Sequence, residues 1–253
     1  MSSESDSDDL DLADLRSLLD EPTLVTKRHG YEDYRFSVTP AIEIVIHQEL
    51  ERRSKGLEEV TDGTEAISAT GAVIWDTSVV ISKYFSSQEE VDWNGKRVFE
   101  LGAGCGLCSI TLGSLGANVI ATDRNEMLSP LRRNVSANSS MIKGSVVVEE
   151  YSWGDLVPPK HGAEIQYIIA TDCVYDIHLV EALVHSLQLI ATVETVVYIG
   201  NDESVGRTNA YEKFLDCAAE SFDISLVPKE GVDPEYDREC VVLYKLTLRR
   251  CAP

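Results

Sequence analysis

From Asp92 onward the chain alternates short apolar runs with segments of helix length, and this limits the fold more than any other feature of the sequence. Continuous apolar runs suit strands buried on both faces. Strands that alternate with helices build a largely parallel sheet, covered on both sides through right-handed crossovers. Strands are expected at 97–102, 118–122, 145–151, 167–171, 195–200, 222–227 and 240–248, with helices at 76–86, 106–116, 126–138, 178–191 and 208–220. Only Pro228 to Glu239 joins the last two strands, a connection that leaves no room for a crossover helix, so that pair is expected to run antiparallel. Upstream, Tyr34 to Val38 and Ile42 to His47 alternate polar and apolar residues around Thr39-Pro40, which predicts a β-hairpin.

The chain has 253 residues, enough for one domain with a sizeable core. Its 43% apolar and 26% charged residues are those of an ordinary soluble protein. Residues 1–22 are dominated by Ser and Asp, with Arg16 the one basic side chain among them, and read as an acidic, disordered tail. The rest, 23–253, reads as a single domain with the hairpin at about 33–50. A net charge of −21 without a basic stripe repels a phosphate backbone, so nucleic acid is a disfavoured partner and none is expected. No apolar run approaches the ~18 residues of a membrane span, and the acidic start is unlike a secretory leader. The expectation is a monomer in the cytoplasm or nucleus, without a membrane partner. Six irregularly spaced cysteines read as reduced thiols. Cys105 and Cys108 form a CxxC, but no second pair completes a zinc site, and no metal is expected.

The first strand of the alternation runs into Glu100-Leu-Gly-Ala-Gly-Cys-Gly106, which places Gly102, Gly104 and Gly106 where an open α/β sheet binds its ligands. Glycine permits positive φ and close approach of a ligand to main-chain donors. The dinucleotide fingerprint GxGxxG fails because Leu107 stands at its last position, and no phosphate loop GxxxxGK[ST] is present. That disfavours a nicotinamide oxidoreductase. Asp123 ends the second strand, nineteen positions after Gly104, where an acid can accept hydrogen bonds from both ribose hydroxyls. Its alternative role is to cap the helix beginning near Asn125. A nucleoside-containing cofactor is the inference. Asp172 and Tyr175 follow the fourth strand beside the glycine turn, facing whatever the cofactor acts on; a helix cap and a packing ring are the alternatives. His178 and the pair Asp202-Glu203 lie near the same edge, and surface roles suit them better.

Taken together these residues resemble the class I, S-adenosyl-L-methionine-dependent methyltransferases, and within them the seven-β-strand protein-lysine methyltransferases of methyltransferase-like family 21. The resemblance covers about 65–248. It rests on Gly71-Ala-Val-Ile-Trp75-Asp76, on Glu100 to Gly106, on Asp123, on Ser152-Trp153-Gly154 and on Asp172-Cys-Val-Tyr175. It implies a Rossmann-like three-layer α/β sandwich with a mostly parallel seven-stranded sheet and an antiparallel last strand. It also implies that Trp75, Gly102, Ala103, Gly104, Gly106, Asp123, Trp153 and Thr171 line the cofactor, with Glu100 supporting the loop and the methionine end. Asp172 and Tyr175 would serve catalysis. The implied partner is a protein with an accessible lysine, of the chaperone-ATPase or elongation-factor type. Two alternatives remain open: another nucleophile (arginine, histidine or a small metabolite), and a cofactor-binding scaffold without turnover.

Overall fold

The alternation at 33–47 folds as an antiparallel hairpin of β1 (Asp33–Thr39) and β2 (Ile42–His47) around a turn at Pro40-Ala41. Period-two patterning puts Tyr34, Phe36, Val38, Ile42, Ile44 and Ile46 on one buried face, each burial contributing on the order of 1.5–3 kcal/mol. That face packs against α1 (Asp76–Ser87) and belongs to one core cluster with Val79, Val80, Phe85 and Trp93. This computed structural model describes residues 33–48, 71–88, 91–156, 164–203, 208–228, 236 and 240–250. The expected acidic tail 1–22 lies outside them, as does most of the 228–239 connection.

The main sheet contains β3 (Arg97–Leu101), β4 (Asn118–Asp123), β5 (Ser145–Glu150), β6 (Tyr167–Thr171), β7 (Val196–Asp202), β8 (Phe222–Leu226) and β9 (Val241–Leu248). Their order is β5-β4-β3-β6-β7-β9-β8. All neighbours are parallel except that β9 runs antiparallel to both β7 and β8. The fold is therefore the expected Rossmann-like sandwich, and the last two strands pair antiparallel as their short connection requires. β9 inserts between β7 and β8, which leaves β8 at an edge.

Helices α1, α2 (Leu107–Ser114) and α3 (Leu128–Ala137) lie with the hairpin on one face, while α4 (Val180–Ile190) and α5 (Thr208–Ala219) cover the other. Every residue of α2 is buried, which explains its lack of a polar stripe. Two helices start two residues later than expected. A 3-10 turn, Asn125–Met127, delays α3 to Leu128. At α4 the His178 N–H donates to Asp176 Oδ1 at 2.8 Å, and this side-chain turn delays the helix to Val180.

The order reverses at β3, which is flanked by β4 on one side and β6 on the other. The turns after these three strands converge at one end of the sheet, so residues distant in sequence meet there.

Candidate active site

The turn after β3 is fixed by steric need. Gly102 has φ +64°, and a Cβ on it would stand 2.8 Å from Cys173 Sγ and 3.3 Å from Trp153. Gly106, the N-cap of α2, has φ +88°, and its Cβ would meet Leu131 at 2.5 Å. Only glycine combines the left-handed backbone with such close approach. The Asp123 carboxylate closes the turn from the neighbouring strand, accepting the Gly104 N–H at 2.7 Å through Oδ2 and the Arg124 N–H at 2.8 Å through Oδ1. Asp123 is therefore not the cap of the following helical turn, whose N-cap is Arg124. A carboxylate has about four lone-pair sites, so two remain for ligand hydroxyls.

These residues line a cavity of about 380 Å³, within the range of nucleoside-sized ligand sites. All eleven residues singled out in the sequence border it: Trp75 from the entry to α1, Glu100 from β3 and Gly102, Ala103, Gly104 and Gly106 from its turn, Asp123 from β4, Trp153 after β5, Thr171 at the end of β6, and Asp172 and Tyr175 after it. Trp153 and Tyr175 are neighbours, with ring centroids 6.3 Å apart. The Trp153 loop is held to α4 by the Gly154 N–H, which donates to Ser186 Oγ at 2.8 Å. His178 and Asp202-Glu203 do not border the cavity.

Asp172 takes φ +53°, the only non-glycine residue with positive φ among those described. Its N–H donates to Gly200 O at 2.9 Å, which ties the strained residue to β7. Such strain in a non-glycine residue typically costs about 1–3 kcal/mol and concentrates where a side chain must be aimed at a ligand.

The electrostatics favour a cation. Asp123 and Asp172 border the cavity with Arg124 the one basic lining residue, and Glu100, which holds its proton without a ligand, can ionise beside a cation. Burial pushes the Glu100 carboxyl up to about 8; the hydrogen bond from Ser109 Oγ opposes this, and the charge of Asp123 adds to it. Asp123 is raised by burial and held down by the two N–H donors it accepts. Burial also raises the Tyr175 phenol and the Cys108 and Cys173 thiols, so all three stay neutral near pH 7. A pyrophosphate-bearing dinucleotide would meet like charge here, whereas a sulfonium or ammonium would not.

Sequence reasoning missed part of the lining: Ser78, Cys105, Cys108, Arg124, Met127, Tyr151 and Leu179. Arg124 and Met127 had a usable signal, since they directly follow the acid at the end of β4. The cysteines did not, because a CxxC with metal and redox use set aside carries no sign of a lining role. Instead, Cys105 Sγ donates to Gly71 O and Cys108 Sγ to Ser78 O, both at 3.6 Å, which joins the glycine turn to the segment before Trp75 and α2 to α1.

Comparison with known proteins agrees with this geometry. Residues 54–221 match the family model described as lysine methyltransferase. Protein N-lysine methyltransferase METTL21A of Danio rerio is 39% identical over 131 residues, which are 51% of this chain and 59% of the relative. EEF1A lysine methyltransferase 3 of Xenopus tropicalis is 32% identical over 142 residues, 56% of this chain and 62% of the relative. The chain spans 59–67% of the length of the first curated relatives that it matches. Among solved structures, mitomycin 7-O-methyltransferase MmcR superimposes with a TM-score of 0.56 at 8% identity, covering 79% of this chain and 67% of that one, a likeness of fold alone.

Proposed function

This chain belongs to the lysine methyltransferase family, and from that membership we propose that it is an S-adenosyl-L-methionine-dependent protein-lysine N-methyltransferase. Its client is a cytoplasmic protein of the chaperone-ATPase or elongation-factor type. The observation that carries the reading is the one cavity in which the Gly102–Gly106 turn and Asp123 meet Asp172 and Tyr175. The surplus acidity of the chain, net −21, suits a basic segment of a client. The likeness to EEF1A lysine methyltransferase 3 of Xenopus tropicalis supports the elongation-factor type.

When bound, the cofactor would supply a methyl group activated by its sulfonium: a neutral amine would bond to the methyl carbon in line as the C–S bond breaks, and the sulfur would leave as a neutral thioether. The residues of this chain then have separate tasks. Asp123 keeps lone pairs for the ribose hydroxyls while it holds the glycine turn. Trp75 and Trp153 offer flat apolar surface to the adenosine, and Glu100 offers its carboxylate to a cationic group. A lysine with its usual pKa near 10.4 loses its proton at a cost of about 4–5 kcal/mol at pH 7. Asp172 does not lower that cost by its charge, since an anion favours the ammonium form. It captures and orients the incoming side chain, and its aimed backbone suits that role. Tyr175 stays a neutral phenol, so it serves as a wall and a cation–π face rather than a base, and the proton passes to water.

The test is transfer of labelled methyl groups to proteins of a cell lysate, with the product located by mass spectrometry. Label on lysine that falls at least tenfold in Asp172→Asn supports the reading. Label on arginine, histidine or a small molecule replaces the nucleophile, and no label from a preparation that binds the cofactor leaves a scaffold.

A further inference from the structure

β2 lies at the edge of the two-stranded hairpin, and its outward backbone groups at Val45 and His47 are satisfied by the side chains of Asn138, the C-cap of α3, and Asn134 within it. The Val45 N–H donates to Asn138 Oδ1 at 2.9 Å, and Asn138 Nδ2 donates back to Val45 O at 2.8 Å. The His47 N–H donates to Asn134 Oδ1 at 2.9 Å, and Asn134 Nδ2 donates back to His47 O at 3.0 Å. The spacing explains the fit. Four helical residues rise about 6 Å and two strand residues about 6.6 Å, so two side-chain amides one turn apart meet alternate residues of a strand. Both asparagines are buried, at 0% and 4% exposure, so these bonds do not compete with water.

The two asparagines differ in one respect. Asn134 Nδ2 also donates to Cys105 O at 2.9 Å, a carbonyl inside the Gly102–Gly106 turn. The second proton of Asn138 Nδ2 goes instead to Asn134 O, within the helix, at 2.8 Å. The residue after β2 makes a parallel connection: the Ile74 N–H donates to buried Gln48 Oε1 at 2.8 Å. Cys105 and Ile74 both border the cavity, so one short stretch of hairpin, His47-Gln48, reaches its lining in two places.

We propose that the hairpin is a working part of the cofactor site, with Asn134 and Gln48 as positioning residues that join its docking to the glycine turn and to the segment entering α1. Neither touches the reacting atoms; each acts by holding a main-chain group of the lining. Because the connection is energetic it is reciprocal: cofactor that orders the turn also tightens the hairpin. The inference rests on the cofactor reading above.

The test compares Asn134→Ala with Asn138→Ala in the full chain, measuring thermal stability and calorimetric affinity for S-adenosylhomocysteine. Each variant loses two hairpin bonds, so both melt at lower temperature. The proposal predicts that Asn134→Ala weakens binding about tenfold, the equivalent of one buried hydrogen bond, and that Asn138→Ala weakens it no more than about threefold. Equal effects of the two variants on affinity overturn it. Absence of binding to the wild-type protein overturns the cofactor reading itself, and this inference with it. Should Asn134→Ala fail to fold, hydrogen exchange of the wild-type chain decides. Saturating S-adenosylhomocysteine should slow the Val45 and His47 amides more than those of β8 and β9, which report global stabilisation alone. Equal slowing at the two places overturns the proposal.

Discussion

The Asp123 carboxylate accepts the Gly104 N–H at 2.7 Å, so the acid that ends β4 also holds the turn that follows β3. Binding residue and loop support are thus one side chain. Asp123→Asn keeps an oxygen for Gly104 but loses one acceptor for a ribose, whereas Asp123→Ala loses both functions. Affinity for S-adenosylhomocysteine should fall about tenfold in the first and at least a hundredfold in the second, measured by calorimetry at one ionic strength.

Gly102→Ala places a methyl group 2.8 Å from Cys173 Sγ on a backbone with φ +64°. The clash and the left-handed strain act together, and the variant should lose about 2–4 kcal/mol in denaturant titration, with cofactor affinity falling in parallel. Pairing it with Cys173→Ala removes the clash but not the strain, so the double variant should recover only part of the loss.

Glu100 predicts a pH dependence of both stability and binding. Burial pushes its carboxyl up to about 8 from an ordinary value of 4.5, so between those two values the folded protein holds a proton that the unfolded chain releases. Stability of the ligand-free protein therefore falls as pH rises through that window, by up to several kcal/mol. A cationic ligand reverses the preference and expels the proton, so affinity for S-adenosylmethionine should rise from pH 6 to pH 8 and level off above. Glu100→Gln should melt at a higher temperature than wild type at pH 8, without ligand, and should show a flat affinity profile across the same range. A wild-type profile that is equally flat contradicts the assignment.

Asp172 and Tyr175 separate capture of the substrate from binding of the cofactor. Asp172→Asn should keep cofactor affinity within about threefold yet lose at least tenfold in turnover on a lysine client. Tyr175→Phe should retain most of the turnover, because the phenol is neutral and contributes its ring; Tyr175→Ala should not. Measuring kcat and KM for the client together with cofactor Kd in all three variants checks the division.

What could be read from the sequence follows from where the information is local. Apolar runs such as Arg97–Leu101 and Tyr167–Thr171 marked the strands because burial on both faces demands them. The strand order brings their C-terminal turns to one end, which made the glycine turn, Asp123 and Asp172 stand out as a group. The Asn134, Asn138 and Gln48 contacts left no such trace, since each side chain serves a backbone group 26 to 93 positions away. The left-handed backbone at Asp172 was equally hidden: aspartate there is common in ordinary turns, and its conformation is set by neighbours on β7. The CxxC spacing gave no sign that Cys105 and Cys108 line the cavity, because burial, which decides whether a thiol reacts or packs, is not written in a spacing.

The most direct measurement is a crystal structure of the protein grown with S-adenosylhomocysteine. The prediction is that both ribose hydroxyls lie within hydrogen-bond distance of Asp123 and that the sulfur faces the side of the cavity formed by Asp172 and Tyr175. Ligand bound elsewhere on the molecule, or a ribose that makes no contact with Asp123, contradicts it.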